Sequence, residues 1–81
     1  MSKIVHLISD STGETVGRIG AAAFSLFDSN LIERRLHIFI RNKLEADEVI
    51  EEIRAAPGLV IVTMVDPVLR KRILDAANRI G

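Results

Sequence analysis

The sequence predicts an α/β fold, a three-layer β-α-β-α-β-α unit whose short parallel sheet has the strand order 2-1-3. Two observations predict it. Short β-branched runs alternate strictly with stretches of helical periodicity, which implies crossover connections and parallel strands. The runs are also apolar on successive residues, as strands covered on both faces must be, and the order 2-1-3 puts the crossover helices on opposite faces.

Ile4-Val5-His6-Leu7-Ile8 is the first run and ends in the turn formers Ser9, Asp10, Ser11 and Gly13. A helix follows from Glu14 to Phe27, with Val16, Ile19, Ala23, Leu26 and Phe27 at helical spacing and Ser11 with Glu14 matching a capping box. Gly17 and Gly20 each cost that helix roughly 1 kcal/mol relative to Ala, so close approach of its backbone to the sheet is expected.

Asp28-Ser29-Asn30 break the helix, and Leu36-His37-Ile38-Phe39-Ile40 reads as the second strand, bracketed by Arg34, Arg35 and Arg41. The second helix places Leu44, Ala46, Val49, Ile50 and Ile53 on one stripe, with Glu45, Asp47 and Glu48 toward its N-terminus, where the macrodipole favours acids. Pro57-Gly58 stops it. Leu59 to Val65 is the third strand, Asp66 and Pro67 read as N-cap and first turn, and Leu69, Ile73, Ala76, Ala77 and Ile80 form the inner face of the third helix.

Residues 1–81 therefore read as one small domain with 48% hydrophobic residues, a length at which a single core is only marginally sufficient. With no cysteine, disulfides and thiolate metal sites are excluded. Eleven basic residues balance eleven acidic ones, so no net field draws the domain to nucleic acid or an anionic membrane. The opening segment has the pattern of neither a secretory leader nor a membrane span, which makes a cytoplasmic location the expectation. Two open sheet edges predict pairing, either with residues of a longer chain or in a homodimer.

In an open parallel sheet, ligands bind beyond the carboxyl ends of the strands. There the first exit supplies Ser11, Thr12, Gly13 and Thr15, small residues ahead of a helix N-terminus, as a phosphate cradle requires. The second exit adds Arg41 and Lys43 as countercharges, and the third adds Thr63. Asp10 and Asp66, at two strand ends, are the catalytic candidates: such carboxylates accept a hydroxyl proton or help to hold Mg²⁺. Capping by itself fully explains Asp66, a turn role serves Asp10 equally, and the first loop lacks both the Lys of a Walker A loop and a dinucleotide fingerprint. His6 and His37 lie within strands, where packing is the expected role, and no metal-ligand spacing occurs.

Ile8-Ser9-Asp10-Ser11-Thr12-Gly13-Glu14-Thr15-Val16, with the Gly- and Ala-rich helix behind it, closely resembles the opening of the pyruvate, phosphate dikinase regulatory proteins, also called phosphoenolpyruvate synthase regulatory proteins. Val62-Thr63-Met64-Val65-Asp66-Pro67, followed by Leu69-Arg70, resembles a second signature of that family. The resemblance implies a bifunctional serine/threonine kinase and phosphorylase. Using ADP it would phosphorylate pyruvate, phosphate dikinase or phosphoenolpyruvate synthase, and using phosphate it would remove the group as pyrophosphate. It also implies that residues 1–81 are the N-terminal part of a longer protein whose glycine- and lysine-bearing nucleotide loop lies elsewhere, so that these residues alone are inactive. Two other readings compete with this one. A flavodoxin-like module would hold a flavin phosphate in the first loop, although no Trp or Tyr is present to stack on the ring; a purely structural dimerising domain would use the same residues only as caps.

Overall fold

The computed structural model describes residues 3–25 and 31–80. Strand β1 spans Lys3–Ser9, helix α1 Glu14–Phe24, β2 Ile32–His37, α2 Lys43–Ala55, β3 Leu59–Thr63 and α3 Pro67–Ile80. The strands form a parallel sheet in the order β2-β1-β3, as the alternation of elements predicts. Ile8 lies opposite His37 on one side and Val62 on the other.

Alternating side chains of β1 divide the core in two. Val5 and Leu7 face α1, where they pack with Val16 and Phe24. Ile8 faces the other way, into a larger cluster with Ala46, Val49, Ile50 and Ile53 of α2 and Leu69 and Ile73 of α3. One helix therefore covers one face and two cover the other, giving the three layers.

The second strand begins and ends earlier than expected, at Ile32 and His37 rather than Leu36 and Ile40. Being an edge strand, β2 can carry Glu33, Arg34 and Arg35 because each finds a partner at the surface. The Arg34 guanidinium lies 5.3 Å from the centre of the Phe24 ring, and Arg35 pairs with Glu33 at 2.6 Å. Phe39 cannot continue the strand because its φ is +57°, a left-handed conformation that ends extended pairing. The apolar run from Ile38 to Ile40 instead crosses the carboxyl end of the sheet, with the Phe39 and Ile40 amides donating to the carbonyls of Ser11 and Ser9.

The inner face of α1 is Val16, Gly20 and Phe24, not the stripe through Ile19 and Ala23, both of which are exposed; Leu26 and Phe27 lie outside the described residues. A Cβ on Gly20 would sit 3.1 Å from a Leu7 methyl, so this glycine does permit close approach, whereas Gly17 faces open space. The capping box from Ser11 to Glu14 does not form: Gly13, at φ +84°, is the N-cap and no side chain caps it. In α2 the expected stripe is buried except for Leu44, which is 70% exposed on the first turn. Strand β3 stops at Thr63, two residues early, because Val65 turns outward while Met64 remains buried.

Candidate functional site

The carboxyl end of the sheet gathers the three strand exits, and hydrogen bonds tie them together. Ser9, the last residue of β1, is buried, and its hydroxyl accepts from the Ser11 amide at 3.1 Å and pairs with the Ser11 hydroxyl at 3.2 Å. This turn aims the chain toward Gly13, whose left-handed backbone opens α1. Ile38 and Leu36 pack against Gly13 so closely that a Cβ there would lie 2.8 Å from an Ile38 methyl. The Thr12 and Thr15 side of the loop faces solvent.

Asp10 is the junction of the three exits. Its carboxylate Oδ2 accepts from the Val65 amide beyond β3 at 2.9 Å, and its backbone carbonyl accepts from Arg41 Nε beyond β2 at 3.0 Å. The Arg41 guanidinium also lies 4.9 Å from the centre of the Phe39 ring, within cation–π range. Asp66 Oδ1 accepts from the amides of Val68 and Leu69 at 2.8 and 3.2 Å, the N-cap expected for α3. Arg70 Nη1 reaches back to the Met64 carbonyl at 3.0 Å, bracing the same corner. Thr63 is half-buried and lies in register beside Ser9, while Lys43 is exposed at the start of α2.

The sequence pattern that defines the kinase/pyrophosphorylase family matches residues 5–81 of this chain, taking in all three strand exits. The chain belongs to the kinase/pyrophosphorylase family. Among curated proteins it is 41% identical over 71 residues to one from Sphingopyxis alaskensis, 36% over 76 residues to one from Caulobacter vibrioides, and 40% over 77 residues to one from Sinorhizobium fredii. All three are named, provisionally, as pyruvate, phosphate dikinase regulatory proteins. These matches cover 86%, 94% and 95% of this chain but 26%, 24% and 28% of the respective relatives, so the chain spans about a quarter of their length.

For this kinase/pyrophosphorylase segment, the structure joins Asp10 by hydrogen bonds to Arg41 and Val65, ties Ser11 to Ser9 and to the Phe39 amide beside them, and places Asp66 at the head of the neighbouring helix. It does not draw Lys43, Thr12 or Thr15 into these contacts. Sequence reasoning missed the capping of α2: Asn42 Oδ1 accepts from the Glu45 amide at 2.9 Å, and Glu45 Oε1 accepts from the Arg41 amide at 3.0 Å. Asn42 and Glu45 are three residues apart, the spacing of a reciprocal cap, so the signal was present. Also missed was a polar chain through His6, His37 and Glu52 on the α2 face, which no sequence spacing announces.

Among the described residues, no three His, Asp or Glu side chains converge closely enough to hold a metal ion, and no described helix is long and apolar enough to cross a membrane.

Proposed function

We propose that this chain supplies the substrate-facing or phosphate-facing wall of a bifunctional serine/threonine kinase and phosphorylase that regulates pyruvate, phosphate dikinase or phosphoenolpyruvate synthase. The observation that carries the reading is the family match across residues 5–81, together with the names of the relatives. It leaves the flavin and purely structural readings without an observation of their own.

The geometry supports a division of roles. The N-terminus of α1 carries no side-chain cap, so its first amides are available to an anion approaching from the exposed Thr12 and Thr15 side. Arg41, held by the Asp10 carbonyl and the Phe39 ring, keeps its positive charge beside that loop. Asp10 commits one carboxylate oxygen to one backbone amide, and Asp66 commits one to two amides. Their other oxygens would serve a hydroxyl proton, or Mg²⁺ held mainly by nucleotide phosphates and water. Residues 1–81 contain no glycine- and lysine-bearing nucleotide loop. Since phosphoryl transfer requires a positioned nucleotide, these residues alone do not transfer phosphate in this reading.

Titration of the 81-residue chain with phosphate, pyrophosphate or ADP, followed by amide chemical shifts, tests the wall. The expected result is movement confined to Asp10–Thr15 and Arg41. No movement at tens of millimolar ligand would remove the anion from these residues. ADP-dependent phosphorylation of a dikinase by the chain itself would overturn the division of roles.

A further inference from the structure

The two histidines and one glutamate on the α2 face form a continuous hydrogen-bonded chain. His6 Nε2 lies 2.8 Å from the Ala56 carbonyl, His6 Nδ1 lies 2.9 Å from His37 Nε2, and His37 Nδ1 lies 2.9 Å from Glu52 Oε2. The rings are stacked with centroids 5.2 Å apart. His6 is fully buried and the His37 side chain is 9% exposed, whereas that of Glu52 is 61% exposed.

With both rings neutral, the chain is one hydrogen short. The Ala56 carbonyl can only accept, so His6 Nε2 must carry a hydrogen. The contact between the rings needs a second, and the contact with the Glu52 carboxylate needs a third. Two neutral imidazoles bring only two. Both ends of the chain are acceptors, so it is complete only when it has taken up one proton from solvent.

We propose that His6, His37 and Glu52 form a single proton-loading unit that enters through Glu52, binds one proton shared by both rings, and reports its state to the segment leaving β2. The proton taken up is balanced by the Glu52 carboxylate, so the loaded chain is an imidazolium–carboxylate pair and the empty chain has one contact without a hydrogen. No other covalent change is involved.

The surroundings set when the proton arrives. Burial lowers the His37 pKa; Glu52 from α2 opposes this, while His6 from β1 and Arg35 from β2 reinforce it. Arg35 is itself paired with Glu33. For His37 the net direction is downward from an ordinary value of about 6.5, so His37 gains its proton on acidification below that value. Between the lowered value and about 6.5 the unfolded chain binds the proton more readily than the folded one. The contribution of His37 to stability is therefore complete above about 6.5 and declines as pH falls through that window.

His37 is the last residue of β2, and the residues after it run directly to the site. Phe39 donates its amide to the Ser11 carbonyl, and Arg41 donates to the Asp10 carbonyl. A charge acquired at His37 thus acts at the root of the segment that carries Arg41, whether or not the proposed phosphate chemistry is correct.

Imidazole and amide chemical shifts followed between pH 4.5 and 8 test the unit, an interval that brackets the usual histidine range. The expected result is one shared midpoint for His6 and His37, as in a coupled pair. The Phe39 and Arg41 amides should move with the same midpoint. Glu52→Gln should lower that midpoint by about half a unit or more, because it removes an opposing charge in contact with His37, and Glu51→Gln should move it much less. Separate midpoints for the two rings, or equal shifts from both variants, would overturn the shared proton. Rings that titrate together while the Phe39 and Arg41 amides stay still would overturn the link to the segment.

Discussion

The two faces of the sheet are built differently, although the same three strands make both. On the α2 and α3 face, buried residues from β1, both helices and the Ile40 and Met64 exits form one continuous apolar cluster, bordered by the His6–His37–Glu52 chain. Among the described residues, the α1 face buries only Val5, Leu7, Val16 and Phe24 together, and Leu36 and Ile38 beside them are 53% and 39% exposed. Of the described residues, the first face carries most of the burial. The second carries the Asp10–Thr15 loop and an uncapped helix N-terminus, and it has less packing to hold them in place.

This asymmetry predicts that equivalent truncations on the two faces will not be equivalent. Ile73 is fully buried between α3 and the sheet, and Ile73→Ala should cost about 3 kcal/mol, from lost transfer energy and the cavity left behind. In a chain of this size that is a large part of the total stability. Leu36→Ala on the open side should cost less than about 1 kcal/mol, since about half of the side chain is already in water. Urea denaturation of the two variants measures both values. Similar costs would mean that the α1 face is more completely covered in solution than the packing of these residues shows.

A second contrast lies within α1 and predicts opposite signs three residues apart. Gly17→Ala meets open space and should stabilise the helix by up to about 1 kcal/mol through propensity. Gly20→Ala gains the same propensity but sets a Cβ 3.1 and 3.2 Å from the two methyls of Leu7. Leu7 must shift within the smaller core, so the gain should vanish or turn into a loss of about 1 kcal/mol. Thermal unfolding of both variants reads the difference directly. A gain from both would show that the α1 face yields readily, which fits a surface that moves to admit a ligand.

The same asymmetry explains how much could be read before the structure. Element order, the strand order 2-1-3 and the cap at Asp66-Pro67 were legible, because β1 and β3 are β-branched runs and proline marks the start of α3. The location of β2 was not. An edge strand needs only part of each face covered, so Arg34 and Glu33 satisfy themselves at the rim and the apolar run that looks most strand-like becomes the crossing segment from Ile38 to Ile40. The meeting of the three strand exits at one carboxyl edge was legible from parallel topology, and Arg41 was among the residues expected there. The anchoring of Asp10 to Val65, 55 residues away, and the meeting of His6 with His37 and Ala56 were not. Such contacts exist only once the strands are laid side by side.

The smallest expected effect belongs to the outer surface of the well-packed face, where Arg72 of α3 donates to Asp47 of α2 at 2.7 Å. The hydrogen bond from Arg72 holds the Asp47 carboxyl below the usual aspartate range. A carboxyl with a lowered folded-state pKa stabilises the fold above its unfolded value and loses that contribution as pH falls through the lowered one. Acidification below the ordinary aspartate range should therefore loosen the contact between α2 and α3. Because the pair is exposed, the loss should be small and weakened further by salt. Asp47→Asn should flatten that acidic part of the stability profile while leaving unchanged the His37 window, which lies below the ordinary histidine value. If the variant also removed the higher window, the two effects would share a cause, and the α2 face would titrate as one unit rather than as a buried chain beneath an independent surface pair.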